Sequence, residues 1–385
     1  METNRQSPLQ QLDYNLIFLL FLLMCVSCLG IYSAQQVAQY DSNFVIKQIM
    51  WYAIGGFAVV GVMILDFDQF RKLSWYLYGL GIVLLIGIIV APESIVPNIN
   101  GARAWFRFGP FALQPSELMK VALIISISNC IATHNEKYIV RTLREDLLLI
   151  GKIAMIVMPP MLLILMQPDL GTGLVFVAIT LSLMLVSGIR WRLLSIIALI
   201  GILFISLLVW LYFTFPQFFL DYILDEYQLQ RFYAWLDPYG HKDTGYQIRN
   251  ALMAVGSGQL FGKGFTNGSV YFPEAHTDFI FSMIGEEWGF IGTSVLISLF
   301  FLFVYRMINT ALESNEAFGS YLCAGVIGMI TFQVFQNIGM NIQVMPITGI
   351  PLPFISYGGS SVLAQMIAFG LVLNVRSRTR KYMFE

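Results

Sequence analysis

The chain has 385 residues, of which 57% are hydrophobic and only 12% charged, and its formal net charge is −1. A water-facing surface of this size needs far more charge, which excludes a soluble globular protein. A net charge so near zero gives no field to draw nucleic acid, so no nucleic-acid partner is expected.

Apolar runs of spanning length recur from end to end. They predict an all-α, polytopic integral membrane protein with about ten transmembrane helices, built as one domain over residues 1–385. The first run, 16–34, lacks a small-residue cleavage site and reads as a retained helix rather than a signal peptide. It holds Cys25 and Cys28, a C-x-x-C spacing with no second ligand pair nearby. Packing is the expected role, with no disulfide and no structural zinc. Further spans are predicted at 47–65, 74–91, 115–132, 150–166, 170–187, 193–213, 276–305, 317–342 and 358–375. Pro159-Pro160 is expected to kink the fifth, and little more than Gln167-Pro168-Asp169 separates it from the sixth.

Most of the 22 Lys and Arg fall in segments on the same side as the N-terminus, including Arg71, Lys72, Arg141, Arg144, Arg190, Arg192 and the tail Arg376 to Lys381. That bias predicts cytoplasmic termini. It leaves two long extracellular segments, 92–114 and 214–275, the second a large loop between helices seven and eight. A loop of that length without a function is uncommon. Within it Ile248, Ala251, Leu252 and Val255 share one helical face, too short to span, which predicts an interfacial or re-entrant helix.

An ionisable residue at membrane depth costs about 2.5–3.5 kcal/mol to insert, so each one asks for a reason. Glu117 and Lys120 follow Gln114-Pro115-Ser116 and lie on one helix face. They read either as an internal ion pair or as the wall of a polar cavity that offers Lys120 and a helix N-terminus to an anionic ligand. Asp278, in His276-Thr277-Asp278, enters the eighth helix. It reads as a helix N-cap or as a carboxylate raised toward neutrality for base work. Arg103, Trp105 and Arg107 suit phosphate and sugar contacts or a plain aromatic belt. Asp169 reads as a cap of the sixth helix, and the glycines of Gly358-Gly-Ser-Ser361 allow close approach to a ligand or to another helix, of which packing is favoured. Glu286 and Glu287 fit a structural or a functional pair equally.

Taken together and in order, several segments resemble one family: Asn100-Gly-Ala-Arg-Ala-Trp105, Gln114-Pro-Ser-Glu-Leu-Met-Lys120, Gln167-Pro-Asp-Leu-Gly-Thr172, Gly256-Ser-Gly through Gly262-Lys-Gly264, Pro273-Glu-Ala-His-Thr-Asp278, and Gly349-Ile-Pro-Leu-Pro-Phe with Ser356-Tyr-Gly-Gly-Ser-Ser361. The chain is similar to the SEDS family of peptidoglycan polymerases (RodA, FtsW, SpoVE). Its length and short basic tail are most like the RodA branch. The resemblance implies a glycosyltransferase that polymerises lipid II outside the cell membrane during elongation. It also implies a class B penicillin-binding protein and the elongation machinery as partners. Asp278 takes the family's catalytic position, and Arg103, Trp105, Glu117, Lys120 and Asp169 its substrate-binding positions. Some members carry a second basic residue directly before the tryptophan, where this chain has Ala104.

The implied reaction is one inverting displacement: an acceptor sugar hydroxyl attacks a lipid-linked donor, and undecaprenyl pyrophosphate leaves. It needs a base, for which Asp278 is expected, and positive charge from Lys120 and Arg103, with or without Mg or Mn. The stretch 246–260 is expected to roof the groove. Two rival readings remain, a lipid II flippase and a scaffold that only recruits its partner.

Overall fold

The computed structural model describes residues 12–38, 43–97, 103–109, 111–215, 226–240, 245–271 and 274–382. Its elements are α1 (Tyr14–Ala38), α2 (Phe44–Ile64), α3 (Phe67–Val90), β1 (Phe106–Phe108), β2 (Phe111–Leu113), α4 (Pro115–Lys137), α5 (Leu143–Leu165), α6 (Leu170–Val186), α7 (Trp191–Thr214), α8 (Glu226–Leu236), α9 (Tyr246–Ser257), α10 (Ile280–Glu313), α11 (Ala317–Asn341) and α12 (Gly359–Tyr382). Among the described residues, nine helices are long and apolar enough to cross a membrane, and α6 is a shorter apolar helix of 17 residues. The ten expected spans therefore all appear as helices, and the chain is a multi-pass membrane protein.

Where each helix sits follows from its polarity. α4 carries Ser116, Glu117, Lys120, Ser126, Ser128 and Asn129, all buried. Lipid cannot satisfy such groups, so α4 takes the centre of the bundle, where neighbouring helices can. Asn129 Nδ2, for example, donates to Ser74 Oγ of α3 at 2.9 Å. α7 is apolar all round, and Leu193 is its one buried residue, so it lies at the periphery. The helices α2 and α12 pack closely because Gly55 faces Met366 and Gly370 faces Val59 and Val62. Asn374 of α12 ties the same pair together by donating to Val62 O and Leu65 O at 2.9 Å.

The end of the bundle at which α4, α6, α10 and α12 begin is the upper end. The opposite, lower end gathers Arg71, Arg141, Arg190, Arg376 and Arg378. Arg71 pairs with Glu136 at 2.7 Å, Arg141 and Arg190 with Asp146, Arg376 with Glu313 and Asp13, and Arg378 with Asp66. These are residues whose charge led the sequence to predict a cytoplasmic face.

Three features were not foreseen. The segment 92–114 contains an antiparallel hairpin, with Phe106 opposite Leu113 and Phe108 opposite Phe111. Three-residue strands are too short to show a period. α5 runs on through Pro159 and Pro160. The break lies instead in α10, at Gly289, with φ 64° and ψ −159°.

The glycine-rich run after α9 accounts for that break. Lys263 N donates to Glu286 O and Gly264 N to Glu287 O, both at 3.0 Å, while Phe290 N donates to Gln259 O at 2.9 Å. The loop thus supplies the partners that the interrupted helix lacks. Backbone approaches backbone so closely that a Cβ at Gly258, Gly262 or Gly289 would overlap the opposing main chain. The backbone region held by Gly289 costs other residues about 1–3 kcal/mol before any overlap is counted. Gly289→Ala should therefore lower the thermal unfolding midpoint in detergent by several degrees. An unchanged midpoint would show that the kink carries no such constraint.

Candidate active site

Asp278 sits just before α10 at the upper end, and its main chain is held from two directions. Asn337 and Asn341, one turn apart on α11, donate their Nδ2 groups to Asp278 O at 2.9 and 3.1 Å. On the other side Ser356 Oγ donates to Thr277 O at 2.6 Å, and Tyr357 N to His276 O at 2.9 Å. The ring of His276 stacks on Phe44 at 4.4 Å, and burial pushes its pKa down, so it is a neutral aromatic clamp at pH 7.

The N-cap reading of Asp278 is excluded, because the cap of α10 is Phe279 and has no side-chain cap bond. Among the described residues no donor bonds the Asp278 carboxylate. The carboxylate lies instead against the 348–350 backbone: a Cβ on Gly349 (φ +71°) would stand 3.4 Å from Asp278 Oδ2 and 3.9 Å from a guanidinium nitrogen of Arg231. Burial, helped by the nearby Glu274 and opposed by Arg231, raises its pKa from 3.8 to about 6. A partly exposed carboxylate that accepts no hydrogen bond and ionises near neutrality can accept a proton from a ligand.

α4 and α6 reach the same place from below. Pro115 occupies the first helical position of α4, as expected. Gln114, just before it, donates Nε2 to Asp169 Oδ2 at 3.3 Å. Asp169 caps α6 through Thr172 N at 2.9 Å and holds Thr172 Oγ1 at 2.7 Å. With both oxygens engaged inside the protein, Asp169 positions α4 against α6. Beside it, a Cβ on Gly171 would stand 2.8 Å from Thr348 O. The 348–350 segment therefore runs between the start of α6 and Asp278.

Within α4, Lys120 Nζ meets Glu117 Oε1 at 2.7 Å, with side chains 2% and 5% exposed. The lysine that the sequence offered to a ligand is thus enclosed and paired. The pair is not a sealed strut, however. Among the described residues, Glu117 Oε2, Ser116 Oγ, Thr348 Oγ1, Gln167 Oε1 and both amide atoms of Gln333 are buried without a hydrogen-bond partner. Buried polar atoms rarely go unsatisfied. These atoms lie in the upper parts of α4 and α11 and beside the start of α6, where water or a polar ligand could engage them.

The second group of predicted residues lies toward α3. Arg103 donates to Ala91 O at 2.6 Å and is partly buried, as is Trp105, while Arg107 is exposed. Asn100, Gly101 and Ala102 of that motif, like Pro273, fall outside the described residues. Among the described residues, no hydrogen bond, ion pair or ring contact joins Arg103 or Trp105 to Asp278. Gly358-Gly-Ser-Ser361 proves to be a packing site: Gly359 faces the Trp51 ring, and Ser360 bridges Ala112 O and Gln114 N at 3.1 and 2.9 Å.

Glu286 and Glu287 are structural. Glu286 pairs with Lys263 at 2.5 Å and accepts from Ser269 N and Val270 N, and Glu287 accepts from Ser33. The expected roof, 246–260, is fastened to α10: Ile248, Ala251 and Ala254 are buried, and Gln259 O and Leu260 O accept from Phe290 N and Ile291 N at 2.9 and 3.2 Å. Sequence reasoning missed Arg231, Gly349, Asn337 and Asn341. An arginine within the aromatic run of α8 was the one available signal for Arg231. The described residues gather no group of three His, Cys, Asp or Glu side chains that could cage a metal.

Comparison with known proteins agrees with the resemblance read from the motifs. The family model FTSW_RODA_SPOVE, described as "Cell cycle protein", matches residues 10–381. Stage V sporulation protein E of Bacillus subtilis is 36% identical over 391 residues, covering 99% of this chain and 100% of that one. A probable peptidoglycan glycosyltransferase FtsW of Nitrosomonas europaea is 33% identical, covering 96% and 94%. A chain from a solved peptidoglycan synthase complex that coordinates polymerization and crosslinking superposes with a TM-score of 0.77 at 30% identity, over 96% and 98% of the two chains. The chain belongs to the FtsW/RodA/SpoVE family, the SEDS membrane proteins.

Proposed function

We propose that the protein is a peptidoglycan glycosyltransferase that polymerises lipid II at the outer face of the cell membrane, with the upper end facing outward and both termini in the cytoplasm. The observation that carries this reading is the Asp278 carboxylate: accepting no hydrogen bond among the described residues, raised to about 6, and set against Gly349 and Arg231, while the unsatisfied polar groups of α4, α6 and α11 would line a polar chamber for the substrate. A substrate with a wet sugar and a lipid tail fits a site at that depth.

In this scheme Asp278 takes the proton from the attacking acceptor hydroxyl as that oxygen bonds the anomeric carbon. Undecaprenyl pyrophosphate leaves in the same inverting step, so no covalent enzyme intermediate is needed. Arg231 and Arg103 supply positive charge for the pyrophosphate. The Glu117–Lys120 pair sets the field of the chamber wall, Asp169 fixes its geometry, and Trp105 offers an apolar face to a sugar. A Mg or Mn ion would add positive charge at the pyrophosphate. No step here depends on it.

The synthase complex among the structural neighbours supports a class B penicillin-binding protein as partner. Within the family, an elongation role is the further part of this proposal. Expression in a strain depleted of its own elongation polymerase tests that role: restored rods support it, and rescue of only a division or sporulation defect replaces it.

The test of the activity itself is to supply lipid II to the purified protein in detergent, alone and with its partner. A polymerase makes glycan there. A flippase, which needs two leaflets, makes nothing, and that result would reject the proposal.

A further inference from the structure

A cavity of about 440 Å³ opens between α3, α4 and α5 toward the lower end, away from Asp278, with Trp75, Tyr78, Cys130, His134, Lys152 and Met155 in its wall. We propose that this cavity binds the phosphate headgroup of an anionic phospholipid in the leaflet that meets the lower end. The proposal does not depend on the glycosyltransferase reading.

Charge is the first argument. Among the described residues Lys152 has no carboxylate within ion-pair distance, and its polar contact is His134 Nδ1 at 3.4 Å. Two acids near this cavity are paired with arginines: Glu136 with Arg71, and Asp146 with Arg141 and Arg190. A lysine within a spanning helix, facing a cavity with no counter-ion, is costly unless an anion joins it.

The second argument is His134, which is 2% exposed and lines the same cavity with its Nε2 unpartnered. One ammonium and one imidazole, with the neighbouring Asp146 already held by Arg141 and Arg190, make a donor-rich site, which is the chemistry of a phosphate.

Shape and depth give the third. The rim is apolar and faces lipid, with Trp75 51% and Met155 69% exposed. Acyl chains would cover that rim, whereas a free phosphate would leave it bare. His134 lies three residues from the end of α4 and Lys152 nine from the start of α5. At about 1.5 Å per residue these are depths of roughly 5 and 14 Å. A lysine side chain bending toward the interface reaches the histidine between those levels, where a headgroup phosphate sits.

The full-length protein in detergent, followed by native mass spectrometry, provides the test. Phosphatidylglycerol should bind better than phosphatidylcholine with the same chains. Lys152→Gln should weaken phosphatidylglycerol binding by roughly tenfold, the loss of one charge-assisted hydrogen bond, and Lys152→Arg should keep most of it. Equal binding of the two lipids, or binding indifferent to Lys152→Gln, would overturn the proposal. Displacement of the lipid by millimolar inorganic phosphate would identify a free-phosphate site and overturn it as well. The comparison of lipids on the unaltered chain decides the matter even where Lys152→Gln does not fold.

Discussion

Asp278→Asn is expected to reduce glycan polymerisation by about 10²–10⁴-fold, the usual worth of a general base, while leaving a protein that folds at least as well. The anchors around Asp278 are main-chain bonds, to Asn337, Asn341, Ser356 and Tyr357, and the change touches none of them. An asparagine of the same shape also removes a carboxylate that burial disfavours. Because its pKa rises on folding from 3.8 to about 6, the folded state holds this proton more tightly than the unfolded one. That preference stabilises the fold most at low pH and is lost as pH rises through the window from about 4 to 6. Above it the ionised aspartate costs up to about 3 kcal/mol, by the worth of two pKa units. The variant should therefore unfold at a higher temperature than the parent at pH 8 and at nearly the same temperature at pH 4. A variant that is inactive and also less stable at pH 8 would mean that Asp278 is a structural residue.

The second large effect is expected at the Glu117–Lys120 pair. Lys120→Met strands Glu117 as an uncompensated buried charge, which costs about 3–5 kcal/mol, and should abolish both stable expression and activity. The double change Glu117→Gln with Lys120→Met removes both charges and should regain most of the stability. Activity separates the two meanings of the pair. If it tunes the chamber, the double variant folds and stays inactive. If it is only a strut between α4 and its neighbours, the double variant recovers polymerisation as well as stability.

Much of the fold was legible because membrane helices announce themselves by length and apolarity. Even the short α6 was found, with Asp169 as its cap. The centre of the bundle was legible for the opposite reason: only α4 packs Ser116, Glu117, Lys120, Ser126 and Asn129 into one span, and lipid forces such a helix inward. What could not be read was anything set by a partner far along the chain. Local sequence favours a cap at Asp278. Only the positions of Gly349, Arg231, Asn337 and Asn341 show that its main chain is anchored while its carboxylate accepts no hydrogen bond among the described residues. The glycines at 258 and 262 carry no signal of their role until the 285–289 backbone of α10 is placed against them. Pro159 and Pro160, the stronger local signal, do not interrupt their helix. Glu286 and Glu287 were ambiguous because Lys263, Ser269 and Ser33, which engage them, lie in other segments.

The most direct test of Asp278 as the base is the pH dependence of kcat/KM for lipid II polymerisation, measured on the parent and on Arg231→Gln. The parent should gain activity as pH rises through about 6, where Asp278 ionises. In Arg231→Gln that limb should move to higher pH, because the charge that favours the carboxylate is gone. A limb in the ordinary carboxylate range, or one that stays in place when Arg231 is neutralised, would contradict Asp278 as the ionising base.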